Sequence, residues 1–381
     1  LERGSYGGRL DELLYQMAKA HALTGQQDAS IQRLKQLVGL YPKSPLVPEA
    51  RFRLAESAFA AGRYTEAETG YLHLVNSDAG GELGIKARYM LGWSQFKQGP
   101  SAWNRAAATF IRVLDEFLPS AQSLGSVSDS SVDTIDDTFR VLALMAARNS
   151  GTDTLIAWLD GSRPHHWEHL LFDRLADYYA VKGETIASVA ANQAFIDYSP
   201  SHRAVPAFRL QIVDVWQAAG DPEQVRNARA EFVASYSQDS AYAALTGEQK
   251  NKWLSYSKRL ADYHYDLATR LVEQGRMAKA ESTFAEAAVY YAHLAPRIDQ
   301  SGEMLRLAGD AWLQARDFPK ALTNFRRAAY ESPGYSEAAD AAWAAVALLR
   351  NSLDRPTTVS AFQPELKDVS NEANRFSGRF E

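Results

Sequence analysis

Residues 301–333 constrain the fold of this chain more than any other stretch, because they have the pattern of two amphipathic helices joined by a short turn. Apolar residues recur there at spacings of three and four, which is the period of one face of an α-helix. Gly309 and Ala321 are small enough for two antiparallel helices to approach closely, while Trp312 and Phe325 fill the space on either side. Pro333 ends the second helix, since proline cannot continue it. The stretch therefore predicts a tightly packed helical hairpin.

This order of large and small residues resembles the tetratricopeptide repeat, a helix–turn–helix unit of about 34 residues. The positions that agree with the repeat are Leu305, Gly309, Trp312, Ala321, Phe325, Ala328 and Pro333. Segments 91–99 (LGWSQFKQG) and 195–200 (FIDYSP) are also similar to bacterial cell-envelope members of the family. Such members are often exported, some as outer-membrane lipoproteins, and serve as assembly or docking factors. The resemblance covers residues 10–350 and is weak between 120 and 161.

Glycines at a regular interval indicate that the hairpin is repeated along the chain. Gly25, Gly62 and Gly99 are separated by 37 positions (62 − 25 and 99 − 62), and Gly183 and Gly220 have the same separation (220 − 183). Each glycine ends one amphipathic run and precedes another, as expected of a helix C-cap with positive φ. A recurring period of this length is typical of a solenoid, in which each unit packs only on its neighbours.

We therefore expect an all-α fold, a right-handed α-solenoid of about eight antiparallel helix hairpins. The predicted segments are an N-terminal repeat array (1–119), a loop with a degenerate hairpin (120–161), middle repeat-like units (162–236), C-terminal units with one long helix (237–350) and a capping segment or tail (351–381). Residues 120–133 are rich in serine and lack apolar periodicity, so we expect an exposed loop there. Residues 237–247 form a second break, followed by a long helix over 248–274 and its partner over 277–294.

Composition excludes several classes of function. The net charge of −5 argues against a general nucleic-acid-binding protein, which usually carries a basic stripe. The absence of cysteine excludes disulfides, thiolate metal sites and cysteine nucleophiles. No apolar run approaches the roughly 20 residues needed to span a bilayer. The sequence begins at Leu1 without an initiator methionine or signal peptide, so we expect that a native precursor could carry an export signal or a lipid anchor.

The resemblance implies a non-catalytic scaffold that binds protein or peptide segments on a concave surface lined by the first helix of each hairpin. We expect no cofactor, and a role in envelope assembly or docking in the periplasm or at the periplasmic face of the outer membrane. The sequence makes no prediction of oligomeric state. The second and fifth positions of the repeat, carried over by register, give the candidate binding residues Glu49, Phe52, Lys86, Tyr89, Leu170, Asp173, Glu303 and Arg306. A clamp for a terminal carboxylate is not expected, because the paired Lys/Arg and Asn positions of such a clamp do not recur.

Three alternatives remain open at this stage. Exposed Trp and Tyr side chains in the groove would favour a scaffold that binds envelope polysaccharide during export, since sugars stack on aromatic faces. A cytoplasmic adaptor is the second alternative. The third is an enzyme with a metal site at His165 and His169, which would lie four residues apart on one helix face. For these histidines we favour a helix that starts at Pro164 and carries partly exposed side chains, because short motifs of this kind often arise by chance.

Overall fold

The structure is a computed structural model that describes residues 9–77, 81–120, 129–160, 164–299, 301–354 and 362–380. Within these ranges helices are the only regular secondary structure, which confirms the predicted all-α class. The chain divides into two compact units, Leu1–Pro200 and Ser201–Glu381. The division falls inside the predicted segment 162–236. Each unit is a stack of antiparallel helix pairs, the architecture of an α-solenoid.

The first unit contains five helix pairs in the described residues. Their bounds are α1 Leu10–Leu23 with α2 Gln27–Leu40, α3 Val47–Ala60 with α4 Tyr64–Asn76, α5 Glu82–Lys97 with α6 Trp103–Phe117, α7 Asp129–Ala147 with α8 Thr152–Leu159, and α9 Glu168–Val181 with α10 Thr185–Tyr198. The 3₁₀ turn Pro100–Ala102 connects α5 to α6.

The second unit contains four helix pairs in the described residues, together with one short additional helix. The pairs are α11 Val205–Ala219 with α12 Pro222–Ser235, α14 Gly247–Glu273 with α15 Met277–Leu294, α16 Ser301–Gln314 with α17 Phe318–Tyr330, and α18 Ala338–Asp354 with α19 Leu366–Phe380. The short helix α13 Asp239–Ala243 lies between the first two pairs.

The α16–α17 pair forms because its small and large residues fit one another as the sequence predicts. Gly309 lies directly under the ring of Phe325, where a Cβ atom would come within 2.4 Å of two ring carbons. Leu305, Ala321 and Ala328 are also buried in the described structure. Burial of about 25 cal/mol per Å² of apolar surface makes this packing, rather than helix propensity, the main stabilising term.

The regularly spaced glycines are confirmed as helix-ending residues. Gly25, Gly62, Gly99, Gly183 and Gly220 all have positive φ, between 72° and 97°. At Gly220, which caps α11, the backbone is in the left-handed helical region that side chains with a Cβ rarely adopt.

The two predicted breaks are less extensive than expected. Residues 121–128 of the predicted loop lie outside the described residues, and 129–133 already belong to α7, so the expectation of a loop through residue 133 is wrong. Residues 237–247 contain α13, and Leu245 is buried.

Arg297 contacts the segment 237–247, the second predicted break, and stabilises its conformation. Its Nη2 donates hydrogen bonds to the Ser237 carbonyl at 2.6 Å and to Asp239 Oδ1 at 2.9 Å. Its guanidinium also lies over the rings of Tyr242 and Trp253, 4.9 Å from each centroid. The side chain is therefore almost fully enclosed, with 8% of its surface exposed.

The last helix, α19, lies in the segment 351–381, for which a capping segment or tail is predicted, and it pairs with α18. Glu372 is buried and accepts hydrogen bonds from Nε and Nη2 of Arg326 on α17, at 2.7 and 2.6 Å. Phe376 packs against Trp343 of α18, with ring centroids 5.8 Å apart. A buried carboxylate without a cationic partner would be strongly unfavourable, so this ion pair fixes the register of α19 on α17.

Candidate functional site

The predicted binding residues on α3 and α5 differ in burial and in the contacts that their side chains make. Glu49 is half-buried and accepts a hydrogen bond from Arg53 Nε at 2.9 Å. Lys86 is exposed and pairs with Glu82 at 2.6 Å. Phe52, in contrast, is only 8% exposed and packs on Tyr71 with ring centroids 5.5 Å apart. Phe52 is thus a core residue, and its assignment to the binding surface is corrected.

Tyr89 belongs to a packed aromatic cluster of α5 and α6. Its ring lies edge-on to Trp93 and Phe110, at centroid distances of 6.2 and 6.3 Å. Burial raises the pKa of the Tyr89 phenol above its ordinary value. Trp93 in turn lies edge-on to Phe96 at 5.5 Å. Phe110 is fully buried, and Tyr89, Trp93 and Phe96 are half-buried, so this cluster forms part of the packing between α5 and α6.

Leu170 and Asp173 both lie on α9 and are half-buried. Burial raises the pKa of Asp177, which lies one turn further along the same helix. The negative charge of Asp173 raises this pKa further.

On α16, the predicted residues Glu303 and Arg306 line one cavity of about 500 Å³. We call it the polar cavity. Its wall is completed by the segment between α17 and α18, and its other lining residues are Asp299, Gly302, Leu307, Asp310, Pro333, Gly334, Tyr335, Ser336 and Glu337. Sequence reasoning missed Tyr335 and Glu337, because they follow the proline that ends the repeat.

A second cavity of about 340 Å³ adjoins the first, since Arg306 and Asp310 line both. We call it the apolar slot. It lies between α16, α17 and α18, and apart from Asn351 and Ser352 its remaining walls are apolar: Leu313, Phe318, Phe325, Ala344, Ala347 and Leu348. The two cavities together form a groove that is charged at one end and apolar at the other.

Arg306 separates the two halves of this groove. Its Nε donates to Asp310 Oδ2 at 3.2 Å, and its guanidinium lies 5.1 Å from the centroid of Phe325. Nη1 also donates to the Asp340 carbonyl at 3.5 Å. Burial raises the pKa of Asp310, and the charge of Arg306 opposes that rise. Since its charge is already matched by Asp310, Arg306 is poorly suited to hold a terminal carboxylate.

Tyr335 forms a fixed wall of the polar cavity. Its ring packs on Gly302, where a Cβ atom would lie 2.4 Å from Cγ of the ring. The hydroxyl donates to Glu337 Oε2 at 3.4 Å. Burial and then the neighbouring Glu337 carboxylate raise the pKa of Tyr335 to about 12. The phenol therefore stays protonated at neutral pH.

The first unit has a larger cavity, of about 780 Å³, between α1, α2 and α3. Its charged lining residues are mixed in sign: Lys19, Asp28, Arg53, Glu56 and Arg63. Arg53 is already bonded to Glu56 at 2.9 Å, and Arg63 to Glu66 at 2.7 Å. This cavity has no net preference for one sign of charge.

The alternative that places His165 and His169 on one helix face is wrong, and so is the favoured helix start at Pro164. Helix α9 begins at Glu168, so His165 precedes it, and His165 Nδ1 lies 2.6 Å from Asp115 Oδ1. The His165 ring stacks on Trp167 with centroids 4.7 Å apart. Among the residues that the structure describes, no group of three or more His, Cys, Asp or Glu side chains is arranged to hold a metal ion. In those same residues, no helix is both long and apolar enough to cross a membrane.

Comparison with known proteins identifies the repeats. The sequence model of the tetratricopeptide repeat family matches residues 15–79 and 265–336, and the second match includes α16, α17 and Tyr335. The sequence comparison with curated proteins finds no match.

Solved structures with a similar arrangement of helices include a tetratricopeptide repeat protein from Parabacteroides merdae (12% identity, 90% of this chain, 98% of that chain, TM-score 0.30). Another is the TPR2AB domain of yeast Sti1 in complex with pHSP90 (14% identity, 81% of this chain, 100% of that chain, TM-score 0.31). A third is yeast Tom70 (11% identity, 97% of this chain, 85% of that chain, TM-score 0.27).

Proposed function

Since this chain is a tetratricopeptide repeat protein, we propose that it is a non-catalytic scaffold that binds a protein or peptide segment in the groove along α16. The observation that carries this proposal is the position of Glu303 and Arg306. Both were placed on the binding face by repeat register, and both line one solvent-accessible cavity that continues into an apolar slot.

The groove has the size and chemistry of a site for several consecutive side chains. The two cavities, of about 500 and 340 Å³, each fall within the range of about 300–1,000 Å³ that is usual for ligand clefts. Apolar side chains of a partner would be removed from water in the slot, and polar ones would meet the carboxylates of the polar cavity. An extended peptide can satisfy both halves at once.

The groove is also preorganised for binding. Its walls are held by the Gly309–Phe325 and Gly302–Tyr335 contacts and by the Arg306–Asp310 ion pair. Rigid walls lose little conformational entropy when a partner binds, so more of the contact energy appears as affinity.

We test this proposal with a displayed library of random dodecapeptides selected on immobilised protein. Ala347, which is half-buried on α18 and lines the slot, is changed to Phe so that the added ring fills it. Val289→Phe, at an exposed position on α15, is the matched control. We expect peptides enriched on the unaltered protein and on the control to be lost on Ala347→Phe. Equal binding to all three proteins would contradict a partner site in this groove.

We further propose that the partner is a component of bacterial envelope assembly and that the protein acts in the periplasm or on the periplasmic face of the outer membrane. The support for this comes from segments 91–99 and 195–200, which resemble cell-envelope members of the family. Fractionation of cells that produce the native full-length protein tests it. We expect recovery in the periplasmic or outer-membrane fraction, and recovery from the cytosol alone would exclude this location.

A further inference from the structure

More acidic than basic side chains line the polar cavity of the groove. Asp299, Glu303 and Glu337 line the polar cavity, and we call these three residues the acidic rim. Among the described residues, no Lys or Arg side chain forms an ion pair with any member of the acidic rim. Arg306, the basic residue in the lining of this cavity, is matched by Asp310. The groove therefore presents an excess of negative charge beside an apolar slot.

We propose that the partner segment inserts a lysine or arginine side chain between the residues of the acidic rim and places an adjacent apolar side chain in the apolar slot. This inference depends on the proposed function and specifies the chemistry of the partner at the same groove. Carboxylates form charge-assisted hydrogen bonds with ammonium and guanidinium groups, which are stronger than bonds between neutral groups.

Tyr335 makes a cationic side chain a better occupant than a neutral polar one. Its ring lines the polar cavity and is held in place by Gly302, while its hydroxyl is bonded to Glu337. A guanidinium or ammonium group that enters the cavity can contact this ring and the rim carboxylates together. Cation–aromatic contact adds to the attraction when water is partly excluded.

A metal ion does not fit the same carboxylates. Divalent cations require several oxygen ligands within about 2.0–2.6 Å of one point. The acidic rim and Asp310 are all described residues, and they do not form such a group. Carboxylates spread around a cavity of about 500 Å³ instead match the extended stem and multiple donors of Arg or Lys.

The cavity of the first unit provides an internal contrast. There the basic residues Lys19, Arg53 and Arg63 accompany the acids Asp28 and Glu56. The same argument therefore predicts no preference for basic peptides at that site, and any such preference of the whole chain should depend on the acidic rim.

The test uses fluorescein-labelled hexapeptide pools, acetylated at the N-terminus and amidated at the C-terminus, binding to the full chain in fluorescence polarisation. One position is fixed as Arg, Lys, citrulline, acetyl-lysine or Glu, and a neighbouring position is fixed as Leu. We expect the Arg and Lys pools to bind about tenfold or more tightly than their neutral counterparts. This difference should shrink as salt is added, since the rim carboxylates face solvent.

A double variant, Glu303→Gln with Glu337→Gln, should lower the affinity of the Arg and Lys pools to about that of the neutral pools. Glu248→Gln with Glu273→Gln, which removes the same charge from exposed positions on α14, is the matched control and should keep the preference. If the citrulline and acetyl-lysine pools bind as well as Arg and Lys, the inference about the basic side chain is overturned while the peptide-binding function stands. If no pool binds, or if Ala347→Phe leaves every affinity unchanged, the proposed function itself is overturned.

Discussion

Replacing Gly309 by Ala tests whether close helix approach, rather than helix propensity, governs this repeat. The added Cβ would lie 2.4 Å from Cδ1 and Cε1 of Phe325, whereas carbon atoms in favourable contact are about 3.5–4.0 Å apart. Phe325 is 1% exposed, so its ring cannot turn into solvent to relieve the overlap. Either the ring leaves its rotamer or α16 and α17 move apart.

The expected change in the free energy of unfolding is the difference between a packing cost and a gain in helix propensity. Forcing an extra carbon into a packed core costs about 1–3 kcal/mol, and an overlap of more than an ångström favours the upper part of that range. Gly→Ala within a helix contributes about 0.5–1 kcal/mol in the opposite direction. We therefore expect Gly309→Ala to lower the free energy of unfolding by about 2 kcal/mol.

Urea unfolding followed by far-UV circular dichroism measures this change. Gly378→Ala on α19 is the control, because a Cβ there meets no atom within 4 Å, and it should leave stability unchanged or slightly higher. Phe325→Leu should reduce the cost of Gly309→Ala in a double-mutant cycle, since the smaller side chain leaves room for the methyl group. Equal effects of Gly309→Ala and Gly378→Ala would refute the argument from close packing.

Two other predictions concern stability. Arg297→Lys should lower the free energy of unfolding by about 1.5–3 kcal/mol in urea titrations, because an ammonium group cannot keep the hydrogen bonds to both the Ser237 carbonyl and Asp239. Arg276→Lys, at an exposed position, is the control and should have almost no effect. For His264, burial lowers the pKa below its ordinary value of 6.5, although the negative charge of Glu286 acts in the opposite direction. The unfolded chain therefore binds the proton more readily than the folded chain, so the free energy of unfolding should fall as pH decreases from about 6.5. His264→Gln should make this pH dependence shallower in urea titrations at several pH values, and an unchanged pH profile would contradict the assignment.

The helices could be predicted from the sequence because their signals are local. Helix α15 has the predicted bounds, and α14 differs from its predicted range by one residue at each end. The periodicity of apolar residues and the turn glycines both act over a few residues, so a linear pattern is sufficient to locate them. Helix α19 was harder to predict, since the residue that fixes it, Glu372, looks like a surface residue until Arg326 is placed against it.

The candidate site was predictable only in part. The repeat register indicates on which helix face a residue lies, but not which residues of other helices cover it. Glu303 and Arg306 line the polar cavity, whereas Phe52 at an equivalent position is covered by Tyr71. The sequence also placed His165 on a helix that in fact begins at Glu168. Which side chain stays accessible depends on contacts between residues far apart in sequence, and these are known only when the helices are packed.

The packing of the repeat and the shape of the groove depend on the same ring. Phe325 lies against Gly309 on one side, and the guanidinium of Arg306 lies over it, 5.1 Å from its centroid. A side chain at position 309 would push the ring away and with it the group that divides the polar cavity from the apolar slot. The small residue that lets α16 and α17 approach closely therefore also sets where charge and apolar surface meet in the groove. In this unit, the residue pattern that specifies the fold determines the chemistry that a partner segment encounters.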